Sequence, residues 1–136
     1  NHPTAISYTA KAIRDKFKDK KIFGIIELGS NTMSSGYHGQ AIYSSINNFD
    51  RVEWLDHNNV LEEENSYQNH DDFLAAIKNA IRNYEVVVLM TNKDSNKIIQ
   101  PLIDYLLSTP AFHFVHVPYS LYQVLFSLCR FFKKDI

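Results

Sequence analysis

The chain of 136 residues has a formal charge of −1, from 14 Lys and Arg against 15 Asp and Glu, and 45% of its residues are hydrophobic. This length supports one buried core without disulfides, and the lone Cys129 excludes an intrachain disulfide and favours an intracellular compartment. The balanced charge argues against a dedicated nucleic-acid binder, and no apolar run reaches the roughly 18 residues of a membrane span. Because the sequence opens on Asn1, we expect a single domain, residues 1–136, excised from a larger protein.

The first half of the chain alternates predicted helices and strands. Ile6, Ala10 and Ile13 recur at helical spacing, while lysines occupy much of the remaining surface of that segment. Short apolar runs rich in β-branched residues are typical of buried strands. The elements expected here are an N-terminal helix over residues 1–20, a strand over 22–28, a helix through 41–46 and a strand over 51–55.

An acidic segment interrupts this alternation. Residues 56–72 contain six acidic side chains and no Lys or Arg, and a polar connection of this length indicates an insertion or a functional loop. The adjacent Asp71 and Asp72 suit the amino end of a helix, where negative charge is favourable. We therefore predict an acidic loop plus an inserted helix over residues 56–84.

The second half adds two apolar strands and two helices. The expected elements are a strand over residues 86–90, a helix over 95–106, a strand over 112–117 and a final helix over 119–132. Pro101 implies either a distorted first turn of the first helix or a later start, because proline removes a backbone donor. The final helix is apolar on nearly every side, so it lies in the core or forms a partner surface, including that of a dimer.

Alternating strands and helices of this kind predict an α/β fold. We expect three layers: a four-stranded parallel sheet, with the four predicted strands in the order 2-1-3-4, and helices on both faces, together with the N-terminal helix. In such sheets, ligands bind outside the carboxyl ends of the strands. Here those ends are residues 29–36, 56–59, 91–95 and 118–120, and they include the acids Asp56 and Asp94.

The loop after the first strand is the candidate ligand or phosphate site. Ser30, Asn31 and Thr32 lie between a strand and a helix, so the backbone amides of this loop could hold an anion. The loop lacks the glycine spacing and the Lys-Ser/Thr ending of a nucleotide-binding loop. A plain strand-to-helix connection is the alternative interpretation.

No convergent catalytic or metal-binding set is visible in the sequence. His113 and His116 are three residues apart in a predicted strand, so they would point to opposite faces. Cys129 lies among apolar residues, where a thiol stays protonated, and there is no Gly-x-Ser-x-Gly elbow. We therefore predict no metal, no cofactor and no catalytic residues, and we favour a non-enzymatic role.

Charge is unevenly distributed along the chain. Residues 1–21 carry six basic and two acidic side chains, in contrast to the acidic segment. Ordinary solvated faces would produce this pattern. The functional alternative is a docking surface for a charged partner, with Lys11, Arg14 and Lys18 as the candidate residues.

The chain from about residue 20 to 132 resembles a BRCT domain. The segments that carry the resemblance are Val86 to Met90, Ser95-Asn96-Lys97, Phe112 to Val117 and Tyr119 to Phe132, and Ile6 to Phe17 resembles the extra N-terminal helix of some members. The departures are Asn47 to Asp50 in place of the usual Gly-Gly, Leu121 or Tyr122 where Trp is usual, and an additional helix over 71–83.

The BRCT resemblance implies a phosphate pocket at Ser30 and Lys97. A hydroxyl or backbone donor beside an ammonium suits phosphoserine or phosphothreonine, whose charged form presents several strong acceptors. Many members of the family bind partners without this pocket. The segment Ile25 to Ser35 also resembles the opening of mannose-type phosphotransferase EIIA domains, although the phosphorylated histidine of that family would fall at Leu28.

The sequence thus leads to two functional hypotheses. The first is a non-catalytic, BRCT-like protein-interaction module of a larger intracellular regulatory protein, which binds a charged or phosphorylated peptide. The alternative is a flavodoxin-like or EIIA-like domain that binds a small molecule or phosphoryl group at the loop after the first strand. The first hypothesis implies a nuclear protein if the BRCT resemblance holds, and otherwise a cytoplasmic one, with no membrane or nucleic-acid partner.

Overall fold

The computed structural model describes residues 3–29, 39–91, 93–108, 112–118 and 123–129. Helices and strands alternate through most of these ranges. The elements are α1 (Pro3–Lys16), β1 (Ile22–Glu27), α2 (Gly39–Ser44), β2 (Arg51–Leu55), β3 (Ser66–Tyr67), α3 (His70–Ala80), a 3-10 turn (Ile81–Asn83), β4 (Val86–Thr91), α4 (Asn96–Leu107), β5 (Phe112–Pro118) and β6 (Gln123–Cys129).

The six strands of the described residues form one sheet in the order β3-β2-β1-β4-β6-β5. The first four strands in this order run parallel to one another. Strand β6 is antiparallel to both of its neighbours, β4 and β5. The predicted α/β class and its four-stranded parallel sheet are confirmed, and β2 and β4 flank β1 as predicted.

Helices cover both faces of the parallel sheet. On one face, α1 and α2 bury Ile6, Ala10 and Ile42 against the sheet. On the other, α3 and α4 bury apolar residues that include Phe73 and Leu102. Strands β1 and β4 are buried at every position, which explains their apolar runs, since a central strand is covered on both sides.

The predicted final helix is wrong over Gln123–Cys129, where the chain forms β6. This strand separates β4 from β5, so the strand predicted over 112–117 lies at the sheet edge instead of beside β4. A short run that is apolar on all sides fits either a buried helix or a central strand, and periodicity alone does not distinguish them. A dimer surface on a C-terminal helix therefore has no basis in this segment.

Two smaller differences concern the acidic segment and Pro101. The acidic segment contains β3, which pairs with only Trp54 and Leu55 of β2. Helix α4 begins at Asn96 and contains Pro101 in its interior. At its start, the carbonyl of Ser95 accepts hydrogen bonds from the backbone N–H groups of both Ile98 (3.0 Å) and Ile99 (2.8 Å). The helix therefore starts before the proline, with a tightened first turn.

Helices in the described parts of the chain are too short or too polar to span a membrane.

Candidate ligand site at the carboxyl ends of the strands

The strand order of the sheet reverses between β1 and β4. Strands β2 and β3 are added on one side of β1, and β4 is then added on the other side. In open α/β sheets, this position leaves a crevice at the carboxyl ends of the strands, where ligands bind. The last residues of β1 and β4, Glu27 and Thr91, lie at this point.

Glu27 is a buried carboxylate with two side-chain partners at this point. Only 2% of its surface is exposed. The hydroxyl of Thr91 donates to Glu27 Oε1 at 2.6 Å, and Nε2 of His57 lies 2.9 Å from Glu27 Oε2. A buried carboxylate costs free energy unless such donors satisfy it, so these contacts fix the side chains in one arrangement. We call Glu27, His57 and Thr91 the strand-end cluster.

His57 is the member of the strand-end cluster that reaches solvent. Its side chain is 31% exposed, whereas that of Glu27 is 3% exposed. A carboxylate only accepts hydrogen bonds, so Nε2 of His57 is the donor in this contact. The other ring nitrogen, Nδ1, takes no part in it. The ring also lies beside His70, the first residue of α3, with the ring centroids 5.5 Å apart.

Asp56 shapes the loop that carries His57. It is fully buried, and its Oδ2 accepts a 2.8 Å hydrogen bond from the backbone N–H of Leu61. Its own backbone N–H donates to the carbonyl of Tyr67 at 2.7 Å, which ties the loop to β3. Among the described residues, Asp56 Oδ1 has no hydrogen-bond partner.

Tyr43 fixes the far side of the same loop to α2. Its hydroxyl donates to the carbonyl of Leu61 at 2.8 Å. Burial, together with the negative charges of Glu63 and Asp56, raises the pKa of Tyr43 above its usual value. The phenol therefore stays protonated and keeps this hydrogen bond through the neutral range.

The amino end of α4 follows Thr91, a member of the strand-end cluster, after a short connection. Thr91 Oγ1, which donates to Glu27, accepts a 3.1 Å hydrogen bond from the backbone N–H of Lys93. Asn96 N–H donates to Asp94 Oδ1 at 3.0 Å, so the connection from β4 to α4 is held by local hydrogen bonds. The candidate phosphate ligand Lys97 lies in the first turn of this helix and is exposed.

The other ligand candidates from the sequence lie outside the described residues. These are Ser30, Asn31 and Thr32. Lys97 lies in the helix that follows the carboxyl end of β4, and its pairing with Ser30 stays a prediction.

The three candidate partner residues, two in α1 and Lys18 just after it, differ in their surroundings. Lys11 and Lys18 are exposed. Arg14 is instead bonded within the protein: it donates to the carbonyls of Asn48 (3.2 Å) and Lys20 (2.9 Å) and forms a 2.7 Å ion pair with Asp50. Arg14 therefore joins α1 to the turn before β2, and its guanidinium is largely committed to that contact.

Two members of the strand-end cluster, His57 and Thr91, lie in segments that the sequence predicts as strand ends, 56–59 and 91–95, but neither is among the candidate site residues. Glu27 and Thr91 are each the first polar residue after the apolar run of a buried strand, which is a usable signal. The contact between Glu27 and His57 is concealed in the sequence, because 30 residues separate the two side chains.

The strand-end cluster presents the imidazole of His57, which is held by the buried carboxylate of Glu27 and lies beside the first residue of α3. Within the described ranges, no group of three or more His, Cys, Asp or Glu residues is placed to hold a metal ion. No protein-family model, curated protein or solved structure matches this chain, so the BRCT and EIIA resemblances stay predictions.

Proposed function

We propose that this domain binds a small polar molecule at the carboxyl ends of β1 and β4, with His57 as its principal side-chain contact. The observation that supports this most directly is the strand-end cluster, in which the buried Glu27 orients a partly exposed imidazole. The position at the change of strand order adds support, because α/β domains place their ligands there.

Glu27 acts in this proposal as a positioning residue. Its carboxylate accepts from Nε2 of His57, which fixes the ring plane and leaves Nδ1 for the ligand. Thr91 holds the other carboxylate oxygen, so Glu27 does not rotate away from the imidazole. A ligand with a hydroxyl or amine donor suits Nδ1 as an acceptor, and Lys97 offers a cation for a ligand that also carries a negative group.

A ligand screen by thermal unfolding tests the proposal. Nucleotides, flavins, sugar phosphates, polyols and amines are each added to the domain, and NMR then maps any ligand that raises the unfolding temperature. A ligand at about 100 times its dissociation constant should add about 2.7 kcal/mol of stability. We expect chemical-shift changes at His57 and Thr91.

Matched variants separate this site from the rest of the surface. His57→Ala and Glu27→Gln should each weaken binding at least about tenfold, the loss expected for a hydrogen bond to a charged or oriented group. Asp104→Asn makes the same carboxyl-to-amide change at an exposed position on α4 and should leave binding unchanged. A ligand that binds both site variants as well as the natural chain contradicts the proposal, and so does the absence of any stabilising ligand.

A second candidate function is the BRCT-like interaction module, in the nucleus or elsewhere inside the cell. What favours it is a set of exposed residues in and just after α1: Tyr8, which is 71% exposed, Lys11 and Lys18. This function would be favoured over the first if Lys97→Ala weakened the binding of a phosphopeptide. It would also be favoured if a protein that binds the natural chain no longer bound after the charges of Lys11 and Lys18 were reversed.

A further inference from the structure

Two histidines lie side by side at the edge of the strand-end cluster. The ring centroids of His57 and His70 are 5.5 Å apart, and the ring planes are tilted by 45°. Two imidazoles that bind one tetrahedral ion have their centroids roughly 5 Å apart, because each Zn–N bond measures about 2.0–2.1 Å. The separation of these two rings is therefore close to that of a pair that shares a metal ion. We call His57 and His70 the histidine pair.

Glu27 orients His57 as a metal ligand is oriented. Its buried carboxylate accepts from Nε2 of His57 at 2.9 Å, which leaves Nδ1 for another partner. Histidines that bind metals almost always donate their other ring N–H to a carboxylate, a carbonyl or water, which fixes the tautomer and makes the ligating nitrogen more basic. The hydroxyl of Thr91 holds the second oxygen of Glu27 at 2.6 Å, so the support for His57 is itself fixed.

The backbone that carries the histidine pair is held by hydrogen bonds. Asp56 donates its backbone N–H to the carbonyl of Tyr67 at 2.7 Å, which joins the loop of His57 to β3. His70 is the first residue of α3, and the N-cap side chain of Asn69 accepts a 2.9 Å hydrogen bond from a backbone N–H of the first turn. The two rings therefore stand on segments that are already fixed beside each other.

Exposure and charge favour a cation at the histidine pair. The side chain of His57 is 31% exposed, and His70 is partly exposed as well. Asp71 and Asp72 follow His70 in the first turn of α3, where their negative charges oppose the positive end of the helix dipole. A cation can therefore reach the rings from solvent, and the acidic side chains nearby attract it.

The number of protein ligands decides which kind of metal site the pair can form. Within the described ranges, no third His, Cys, Asp or Glu completes a ligand set with the pair. A closed structural zinc site has four protein ligands, so an ion on the histidine pair keeps open positions for water or a bound molecule. Imidazole ligands suit Zn²⁺, whereas Mg²⁺ and Ca²⁺ prefer oxygen ligands.

We propose that Nδ1 of His57 and a ring nitrogen of His70 bind Zn²⁺, whose open positions take an oxygen or amine of the polar molecule. This inference rests on the proposed function for that molecule, although the ion binds without it. Glu27 is a positioning residue, because it acts through His57. The proposal departs from the sequence prediction of no metal, because only the fold brings the two rings together.

Titration of the whole chain with ZnCl₂ tests the proposal, with MgCl₂ as the control cation. Calorimetry should give saturable binding of Zn²⁺ that Mg²⁺ does not reproduce, because the two ligands are imidazoles. Long-range ¹H–¹⁵N NMR of the imidazoles should show shift changes at Nδ1 of His57 and at one ring nitrogen of His70. Nε2 of His57 should keep its hydrogen, since it stays bonded to Glu27.

Variants test whether the histidine pair carries the binding. Glu27→Gln should weaken Zn²⁺ binding about 10- to 100-fold, the usual loss when the outer partner of a metal-bound histidine is changed. His57→Ala and His70→Ala remove a ligand and should each weaken it at least about tenfold. The controls are His2→Ala, a histidine outside the described residues, and Glu64→Gln, an exposed acid of the acidic segment, and both should bind normally.

Three results would overturn the proposal. The first is the absence of saturable Zn²⁺ binding to the natural chain, and the second is Zn²⁺ binding that His70→Ala leaves intact. The third is a set of NMR shift changes that misses the histidine pair, and this measurement on the natural chain decides the matter if a variant does not fold.

The ligand screen, run with and without Zn²⁺, distinguishes this proposal from the proposed function. A polar molecule that maps to His57 in a chain that does not bind Zn²⁺ overturns only the metal site. Zn²⁺ binding at the histidine pair, with no stabilising molecule in either screen, supports the metal site and overturns the proposed function.

Discussion

The two ends of the parallel strands satisfy their carboxylates in different ways. At the amino end, Asp50 and Glu53 are each held by an arginine, Arg14 or Arg51. At the carboxyl end, Glu27 is held by the hydroxyl of Thr91 and the imidazole of His57. Guanidinium groups keep their charge at every relevant pH, whereas hydroxyl and imidazole groups can exchange partners and protons.

This contrast indicates different purposes for the two ends. The amino end joins α1, β1 and the turn before β2, and its ion pair between Arg14 and Asp50 crosses 36 residues of sequence. The carboxyl end buries polar groups where the strand order changes, which is the position at which open α/β sheets bind ligands. The following predictions separate the two interpretations, beginning with the largest expected effect.

Thr91→Val should destabilise the domain by about 2 kcal/mol, because it removes the donor to the buried carboxylate of Glu27 and keeps the side-chain volume. Chemical denaturation measures the free energy of unfolding. Ser44→Ala removes an exposed hydroxyl from α2 and should change that energy by less than about 0.5 kcal/mol. Equal effects of the two variants would mean that the strand-end cluster is not held as described.

Arg14→Ala should cost about 1–2 kcal/mol, because its guanidinium is partly buried and donates to three backbone carbonyls and to Asp50. Lys11→Ala and Lys18→Ala remove charges from exposed positions on or just after the same helix and should cost less than about 0.5 kcal/mol each. The same denaturation measurement compares all three. A lysine variant as costly as Arg14→Ala would show that the exposed side of α1 is also structural.

Asp50→Asn should change how stability depends on acid. Burial alone would raise the pKa of Asp50, but the hydrogen bond from the Ile22 N–H and the ion pair with Arg14 lower it below the usual 3.8. A group with a lowered folded pKa stabilises the protein above its unfolded pKa, and that contribution is lost as pH falls through the folded pKa. The variant should be less stable at neutral pH, with the two stability curves converging well below pH 4. Parallel curves across that range would contradict this assignment.

Tyr67→Phe should have the smallest effect of these variants, and it should affect stability only at alkaline pH. Burial and the nearby carboxylate of Glu53 raise the pKa of Tyr67 above 10.0. Its contribution to stability is therefore complete below pH 10 and is lost as pH rises through the folded pKa. Unfolding measured from pH 8 to 11 should show a shallower alkaline loss in the variant. Tyr8→Phe, which changes an exposed tyrosine, is the matched control, and an identical effect there would contradict the prediction.

The sequence predicted most of the fold because the parallel half of the sheet has strong local signals. The stripe of Ile6, Ala10 and Ile13 predicted α1, and all three residues are buried in it. Strand β2 has the bounds that its apolar run indicated, and β4 extends its predicted run by one residue, Thr91. These elements were predictable because the pattern of buried residues repeats within a few positions.

Strands β6 and β3 were less predictable for a physical reason. Residues 123–129 are mostly apolar, and such a short run suits a helix in a core as well as a strand between two others. Strand β3 was missed because two residues that pair at a sheet edge leave no periodic pattern. In both places, whether the segment forms a strand depends on the neighbouring strand with which it pairs.

Sequence alone determined that this chain folds as an α/β protein, with α1 amphipathic and with β1 and β4 buried, because those properties follow from local hydrophobic periodicity. Only the tertiary structure decided which polar residues meet. Glu27, His57 and Thr91 are separated by up to 64 residues and come together because β2 and β4 both pair with β1. It also decided that Arg14 is a structural residue while Lys11 and Lys18 remain exposed, since only packing against another segment distinguishes three basic residues so near in sequence.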